Sequence, residues 1–233
     1  MQSNPFAITI DGEQYPSVSK ILQSDPKRKT YYKSVGARRK QAFKDGDAAA
    51  TGRHRGDSLH EAFAQYITTG ECDVSPIYLE FWNHLYQFIT PFNVKPVWAE
   101  APLLPEHQHF TNGDTSCIWS KKGKWLGKPD LIANFEGVNA VIEIKTSNHP
   151  YSKSFDRRQF LKYGEFYSYA YAAMQTAAYS QCWTECTGET IDAGIVINVM
   201  RDGLQMFVVE YPELQLRLKN FKKLAKDYHT SHA

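Results

Sequence analysis

Apolar residues change their spacing near Val97. Before it the pattern is helical: residues 57–68 place Leu59, Ala62, Phe63 and Tyr66 on one face, with Asp57 near the start and Gly70 just past the end. Residues 76–90 predict a second amphipathic helix opened by Pro76, whose fixed φ suits a first turn. Further upstream, Phe6–Ile10, an Asp11-Gly12 turn and Glu13–Tyr15 predict a short hairpin. Ser17 then stands as an N-cap for a helix through Ile21 and Leu22. From Val97 the alternation becomes that of strands: Val97–Leu104, Ser116–Ser120, Trp125–Phe135 and Ala140–Lys145. Turn signals at Asn112-Gly113-Asp114, Lys122-Gly123 and Glu136-Gly137 separate them. A long helix over about 157–182 follows, then strands Ala193–Met200 and Leu204–Tyr211, and a basic amphipathic helix from Pro212 to about Tyr228. With no internal repeat or low-complexity linker, the expectation is one α/β domain over 1–233. Residues of about 1–92 form a mainly helical, basic N-terminal part, and about 93–233 form the core.

Composition adds little to the fold and something to the partner. The 233 residues are 42% hydrophobic, 14% aromatic and 22% charged, which suits a globule able to bury a sizeable core. Net charge is only +2, yet its distribution is uneven: eight Lys or Arg and no acid lie between Lys27 and Lys44. Further basic groups follow at Arg53 and Arg55, at Lys121, Lys122, Lys124 and Lys128, and along Arg217–Lys226. Clustered cations in a nearly neutral chain suit a polyanion, although any single cluster is also consistent with a solvated helix face. The four cysteines are scattered with no CxxC pair, as reduced thiols would be. No stretch approaches the length of a bilayer span and no signal or clear transit peptide is evident. The expectation is therefore a cytoplasmic protein of a bacterial or phage-infected cell, without a membrane partner.

Chemistry concentrates in Gly127-Lys128-Pro129-Asp130 and, beyond a twelve-residue stretch of strand and turn, Glu143-Ile144-Lys145-Thr146. Residues two apart on a strand share a side, so Glu143 and Lys145 project together while Ile144 points into the core. The Glu136-Gly137 turn folds one strand onto the next and brings Asp130 towards Glu143. Two carboxylates and an intervening backbone carbonyl form a hard-oxygen set suited to Mg²⁺ or Mn²⁺. Such an ion polarises a phosphoryl oxygen and acidifies bound water, and a neighbouring Lys offsets charge in the transition state.

Pro129-Asp130 followed by Glu143-x-Lys145 resembles the PD-(D/E)xK nuclease superfamily. Two further motifs point to its RecB-like branch: Gly56-Asp57-Ser58-Leu59-His60 resembles that branch's Gly-xxx-His, and Gln175-Thr176-Ala177-Ala178-Tyr179 its Gln-xxx-Tyr. Tyr15-Pro16-Ser17-Val18 and Glu143–Ser147 are similar to segments of mitochondrial genome maintenance exonucleases and phage exonucleases. The chain departs from that group in Glu for Asp at position 143 and in a long stretch, 148–165, before the Gln175 helix. The resemblance implies a central mixed sheet of restriction-endonuclease type flanked by helices. It implies catalytic roles for Asp130, Glu143, Lys145, His60, Gln175 and Tyr179. It also implies a metal set of Asp130, Glu143, the Ile144 carbonyl and His60, with Glu100 on the first core strand as a further acid.

The resulting expectation is a Mg²⁺-dependent DNA nuclease, a single-strand-preferring exonuclease acting in replication, repair or recombination on single-stranded or free-ended DNA. Arg38, Arg39, Lys40, Arg53, Arg55 and Lys128 are its candidate phosphate contacts. Tyr31, Tyr32 and Phe43 are candidate stacking platforms, equally suited to packing against the core. A lambda-type double-strand recombination exonuclease, a structure-selective endonuclease and a non-catalytic DNA-binding module remain open. Iron–sulfur relatives fit poorly, because residues 187–233 contain no Cys.

Overall fold

The computed structural model describes residues 9–26, 28, 51–99, 101–102, 111–112, 115–153 and 168–232. A hairpin of β1 (Thr9–Ile10) and β2 (Glu13–Gln14) opens the fold. It leads into α1 (Val18–Ser24), capped by the Ser17 side chain, which accepts from the Lys20 amide at 3.1 Å. The next helix, α2, runs Thr51–Thr69. It starts six residues before the Asp57 that the sequence marks as its beginning, passing through Gly52 and Gly56 without a break. Tertiary contact outweighs the weak helix propensity of those glycines. A 3₁₀ turn at Pro76–Tyr78 then introduces α3 (Leu79–Ile89).

The central sheet is built from β3 (Val94–Ala99), β4 (Ala101–Pro102), β9 (Leu131–Phe135), β10 (Val138–Thr146), β11 (Ala193–Met200) and β12 (Gly203–Glu210). Its order is β12-β11-β10-β9-β3-β4. Only the β10–β11 pair is parallel, so the sheet is mixed. The crossover between β10 and β11 carries α4 (Ser168–Thr187), and α5 (Tyr211–His232) follows β12. Two small hairpins stand apart: β5 (Thr111–Asn112) with β6 (Thr115–Ser116), and β7 (Ile118–Ser120) with β8 (Trp125–Gly127).

Strand alternation gives the sheet two buried faces. Ala140, Ile142 and Ile144 of β10, with Ile195, Ile197 and Val199 of β11, pack against Leu59 and Phe63 of α2 and Phe81 and Leu85 of α3. Val141 and Val196 point the other way, into a core with Trp125, Trp183, Phe221 and residues of α1, α4 and α5. Helices therefore cover both sides, and both faces of the sheet are withdrawn from water. Among the described residues no helix is long and apolar enough to cross a membrane.

One expected strand is two. The sequence reads Trp125–Phe135 as continuous, whereas β8 pairs with β7 and β9 pairs with β3 and β10. The chain leaves one sheet and enters the other across Lys128-Pro129-Asp130, and Pro129 suits that break because it has no N–H for a ladder. β9 and β10 are joined through Glu136 (φ 52°) and Gly137 (φ 86°), a two-residue turn whose left-handed positions match the strand twist.

Candidate active site

The break at Pro129 is what shapes the acidic pair. Ile142 pairs with Leu131 in the β9–β10 ladder, so extending the register sets Asp130 opposite Glu143 and Pro129 opposite Ile144. Backbone pairing has ended there, and the Asp130 side chain replaces it: Oδ2 accepts from the Ile144 amide at 2.6 Å. Asp130 Oδ1 meets His60 Nδ1 at 2.8 Å, reaching across from α2. Lys145 Nζ donates to Glu143 Oε1 from two residues along the same strand face. Both carboxylates are deeply buried, Asp130 at 6% and Glu143 at 1% exposure. Glu143 Oε2 is also buried and has no hydrogen-bond partner.

Electrostatics separates the two acids. For Asp130, burial favours the neutral acid, but the His60 charge and hydrogen bond, the Lys145 charge and the Ile144 amide outweigh it and hold the carboxyl below its usual range. Glu143 goes the other way. Burial and the nearby Asp130 charge raise it to about 7, despite the opposing pull of Lys145. On His60, burial acts against the charged ring, yet the Asp130 charge and hydrogen bond raise it to about 9.

Gln175 and Tyr179 arrive from α4. Gln175 Nε2 donates to the Tyr179 hydroxyl at 3.0 Å, and Tyr179 is raised well above its ordinary value, first by burial and then by the Glu143 charge. Tyr179 thus lies within the field of the acids, with Gln175 bonded to its hydroxyl. Its ring is seated on β8: a Cβ added at Gly127 would fall 2.2 Å from Tyr179 Cε1. Glycine at 127 is what lets the helix approach so closely. On the other side, Gly56 of α2 brings its backbone near Thr146, where an added Cβ would lie 3.5 Å from Oγ1.

Of the candidate phosphate contacts, Arg55 is buried at 9% exposure, with its guanidinium over the Phe81 ring and Nη1 donating to Asn148 Oδ1 at 2.9 Å. It ties α2 to the segment leaving β10. Lys128 is half-buried in the strand break. Arg53 lies on α2, but its side chain is outside the described residues, as are Arg38, Arg39, Lys40, Glu100, Tyr31, Tyr32 and Phe43.

Sequence reasoning missed a buried polar network beside Lys145. Asn198 on β11 pairs in register with Lys145 and is fully buried. Its Oδ1 accepts from Ser147 Oγ at 2.9 Å, and its Nδ2 donates to Gln205 Oε1 at 3.1 Å. Gln205 Oε1 in turn accepts from the Tyr151 amide at 2.7 Å, fastening the chain beyond β10. The available signal was a single Asn inside the apolar run Ala193–Met200.

Among the described residues, no three His, Cys, Asp or Glu side chains are grouped so as to hold a metal ion. The donor set here is different in kind, two carboxylates with the main chain between them. Of the carboxylate oxygens of this cluster, Glu143 Oε2 is buried and unpaired. That chemistry fits a hard divalent cation, which favours oxygen ligands. His60 Nδ1 is engaged by Asp130, which leaves Nε2 as the ring nitrogen outside that contact.

Fold and site together define a mixed α/β protein with a buried acid–acid–lysine cluster where β9 begins, at the Lys145 end of β10. No protein-family model matches the sequence, and no curated protein matches it. Among solved structures, the chain is similar to one described as the crystal structure of SSO0001, at 18% identity over 73% of this chain and 72% of that one, with a TM-score of 0.34.

Proposed function

We propose that this protein is a metal-dependent nuclease of the PD-(D/E)xK type, RecB-like branch, that hydrolyses DNA phosphodiesters. The observation that carries the reading is the convergence of Asp130, Glu143, Lys145 and His60, with Glu143 Oε2 buried and unpaired. Buried carboxylates kept at such a cost to stability are characteristic of sites with a chemical task. Asp130, Glu143 and the Ile144 carbonyl would hold Mg²⁺, with Mn²⁺ able to substitute. The bound ion supplies Lewis acidity towards the phosphoryl oxygen and a more acidic water.

The chain's own groups account for the remaining roles. His60 fixes the Asp130 carboxylate through its 2.8 Å contact. Lys145, held by Glu143, orients the attacking water and offsets negative charge gathering on the phosphoryl oxygens. Tyr179, oriented by Gln175, lies on α4 within the field of Glu143 and Asp130. The water oxygen bonds to phosphorus as the bond to the bridging sugar oxygen breaks, and that oxygen leaves with a proton. Basic side chains at Arg38, Arg39 and Lys40 would guide the strand by phosphate contacts. Exonucleolytic action on single strands with a free end follows from the motif resemblance.

The test is a gel of end-labelled linear and circular, single- and double-stranded DNA with Mg²⁺, run beside Lys145→Ala. Mg²⁺-dependent loss of linear single strands, abolished in the variant, is the expected result. Absence of cleavage on every substrate would overturn the nuclease reading, and cutting of circles would replace the exonuclease by an endonuclease.

A further inference from the structure

Arg55 joins three elements from inside the fold. It belongs to α2, its guanidinium lies 4.6 Å over the Phe81 ring of α3, and Nη1 donates to Asn148 Oδ1 at 2.9 Å beyond the end of β10. An arginine only donates, so this contact fixes which end of the Asn148 amide faces α2. With 9% of the residue exposed, Arg55 offers a passing DNA strand little surface. Burying a guanidinium is costly, and an apolar side chain of similar volume over Phe81 would hold the fold as well or better. A buried charge at this place calls for a task beyond stability.

The backbone around Asn148 is itself held. The Ser147 amide donates to the Val199 carbonyl at 3.1 Å, and Asn198 Nδ2 donates to the His149 carbonyl at 3.4 Å. Both neighbours of Asn148 are thus fastened to β11, while its side chain is fastened to α2. On α2, Gly56 and His60 stand four apart on one face. Gly56 faces Thr146 and His60 contacts Asp130 at 2.8 Å, so this face runs along the acidic cluster. Arg55 directly precedes Gly56, and Asn148 follows Lys145 by three residues.

We infer that Arg55 is a positioning residue of the proposed hydrolysis. Through Asn148 it sets α2, which carries His60 against Asp130, in register with the end of β10, which carries Glu143 and Lys145. The inference rests on the nuclease reading and assigns Arg55 to the alignment of that site, not to a DNA phosphate. The two tasks leave different traces. Misplacing reacting groups by on the order of 1 Å lowers the rate of the chemical step by up to about 10²-fold and leaves substrate binding alone. Losing a phosphate contact weakens binding and flattens its salt dependence.

Steady-state cleavage of end-labelled single-stranded DNA in saturating Mg²⁺ tests this with Arg55→Met, Asn148→Ala, the double variant and Asn148→Asp. A fall in kcat of about tenfold or more is expected in each of the first two, with KM for DNA within about twofold of wild type. The double variant should be no more than about twofold slower than the slower single one, because both remove the same tie. Asn148→Asp keeps an acceptor for the guanidinium and should restore kcat to within about threefold of wild type. Hydrogen exchange reads the tie without any cleavage, as faster exchange at residues 146–149 in both single variants. Methionine fills the place over Phe81, so Arg55→Met should melt no lower than wild type. Should it unfold, Asn148→Ala and Asn148→Asp decide the question, since residue 148 is exposed. Normal kcat in Asn148→Ala, multiplying losses in the double variant, a raised KM with a salt slope lower by about 1, or unaltered exchange at 146–149 would each overturn the inference. A wild type that leaves every DNA substrate intact would instead overturn the nuclease reading, which the Lys145→Ala comparison reports separately.

Discussion

Glu143 is expensive to keep. Its carboxylate is fully buried beside Asp130, and its pKa is raised to about 7 from the ordinary 4.5. A raised folded-state pKa means that the contribution to stability is complete below about 4.5 and is lost as pH rises through about 7. In chelator, Glu143→Gln should therefore melt higher than wild type at pH 8, by on the order of 1–3 kcal/mol, with the gain vanishing near pH 4.5. Cleavage by the same variant should fall by about 10²-fold or more in Mg²⁺. Equal melting of the two proteins at pH 8 would refute the electrostatic account. His60 obeys the same sign: its contribution is present below about 6.5 and lost through about 9. His60→Ala should thus cost about 1–2 kcal/mol at pH 6 and little at pH 10, read from paired denaturant curves. At this scale the acid–acid–lysine trio was legible, because strand period and register both follow from local sequence. Tyr179 on Gly127 was not, since nothing in either segment encodes which glycine a distant helix will approach.

At the scale of elements, the strand break matters more than any strand length. The alternation in Trp125–Phe135 carries no sign that its halves pair with different partners, although Pro129 was visible as a residue unable to join a ladder. Similarly, Gly52 and Gly56 have weak helix propensity, and α2 runs through both, with Gly56 in ordinary contact with Thr146. Gly127→Ala tests the packing of α4 on β8. The added methyl must displace the Tyr179 ring, so a loss of about 1–3 kcal/mol is expected in thermal or urea unfolding. The network on β11 offers a second test. Asn198→Ala removes one partner each from Ser147 and Gln205 and should destabilise by about 1–3 kcal/mol, which hydrogen exchange would locate at residues 147–151.

For the whole molecule, the change from helical to strand period announced an α/β protein with a mainly helical N-terminal part and further helices among and after the strands. The order β12-β11-β10-β9-β3-β4 was not readable, because strand order depends on long-range pairing that periodicity does not encode. Charge distribution belongs to this scale as well. The cations between Lys27 and Lys44 lie largely outside the described residues, yet their density sets an expectation for binding. Arg38→Ala/Arg39→Ala should weaken single-stranded DNA binding for all sequences alike and lower the salt slope by about 1–2, measured as log affinity against log salt. An unchanged slope would return that segment to a solvated face.

The tight turn at Glu136-Gly137 also has a kinetic meaning. It joins two strands whose register alone sets Asp130 against Glu143, so the acidic pair is assembled by a contact short in sequence, while His60 and Tyr179 must be recruited from far along the chain. Short-range pairing is cheap in loop entropy and forms early. Gly137→Ala, which burdens a left-handed position, should then slow refolding in stopped-flow experiments more than it speeds unfolding, so that the order in which the site assembles can be read from a single chevron.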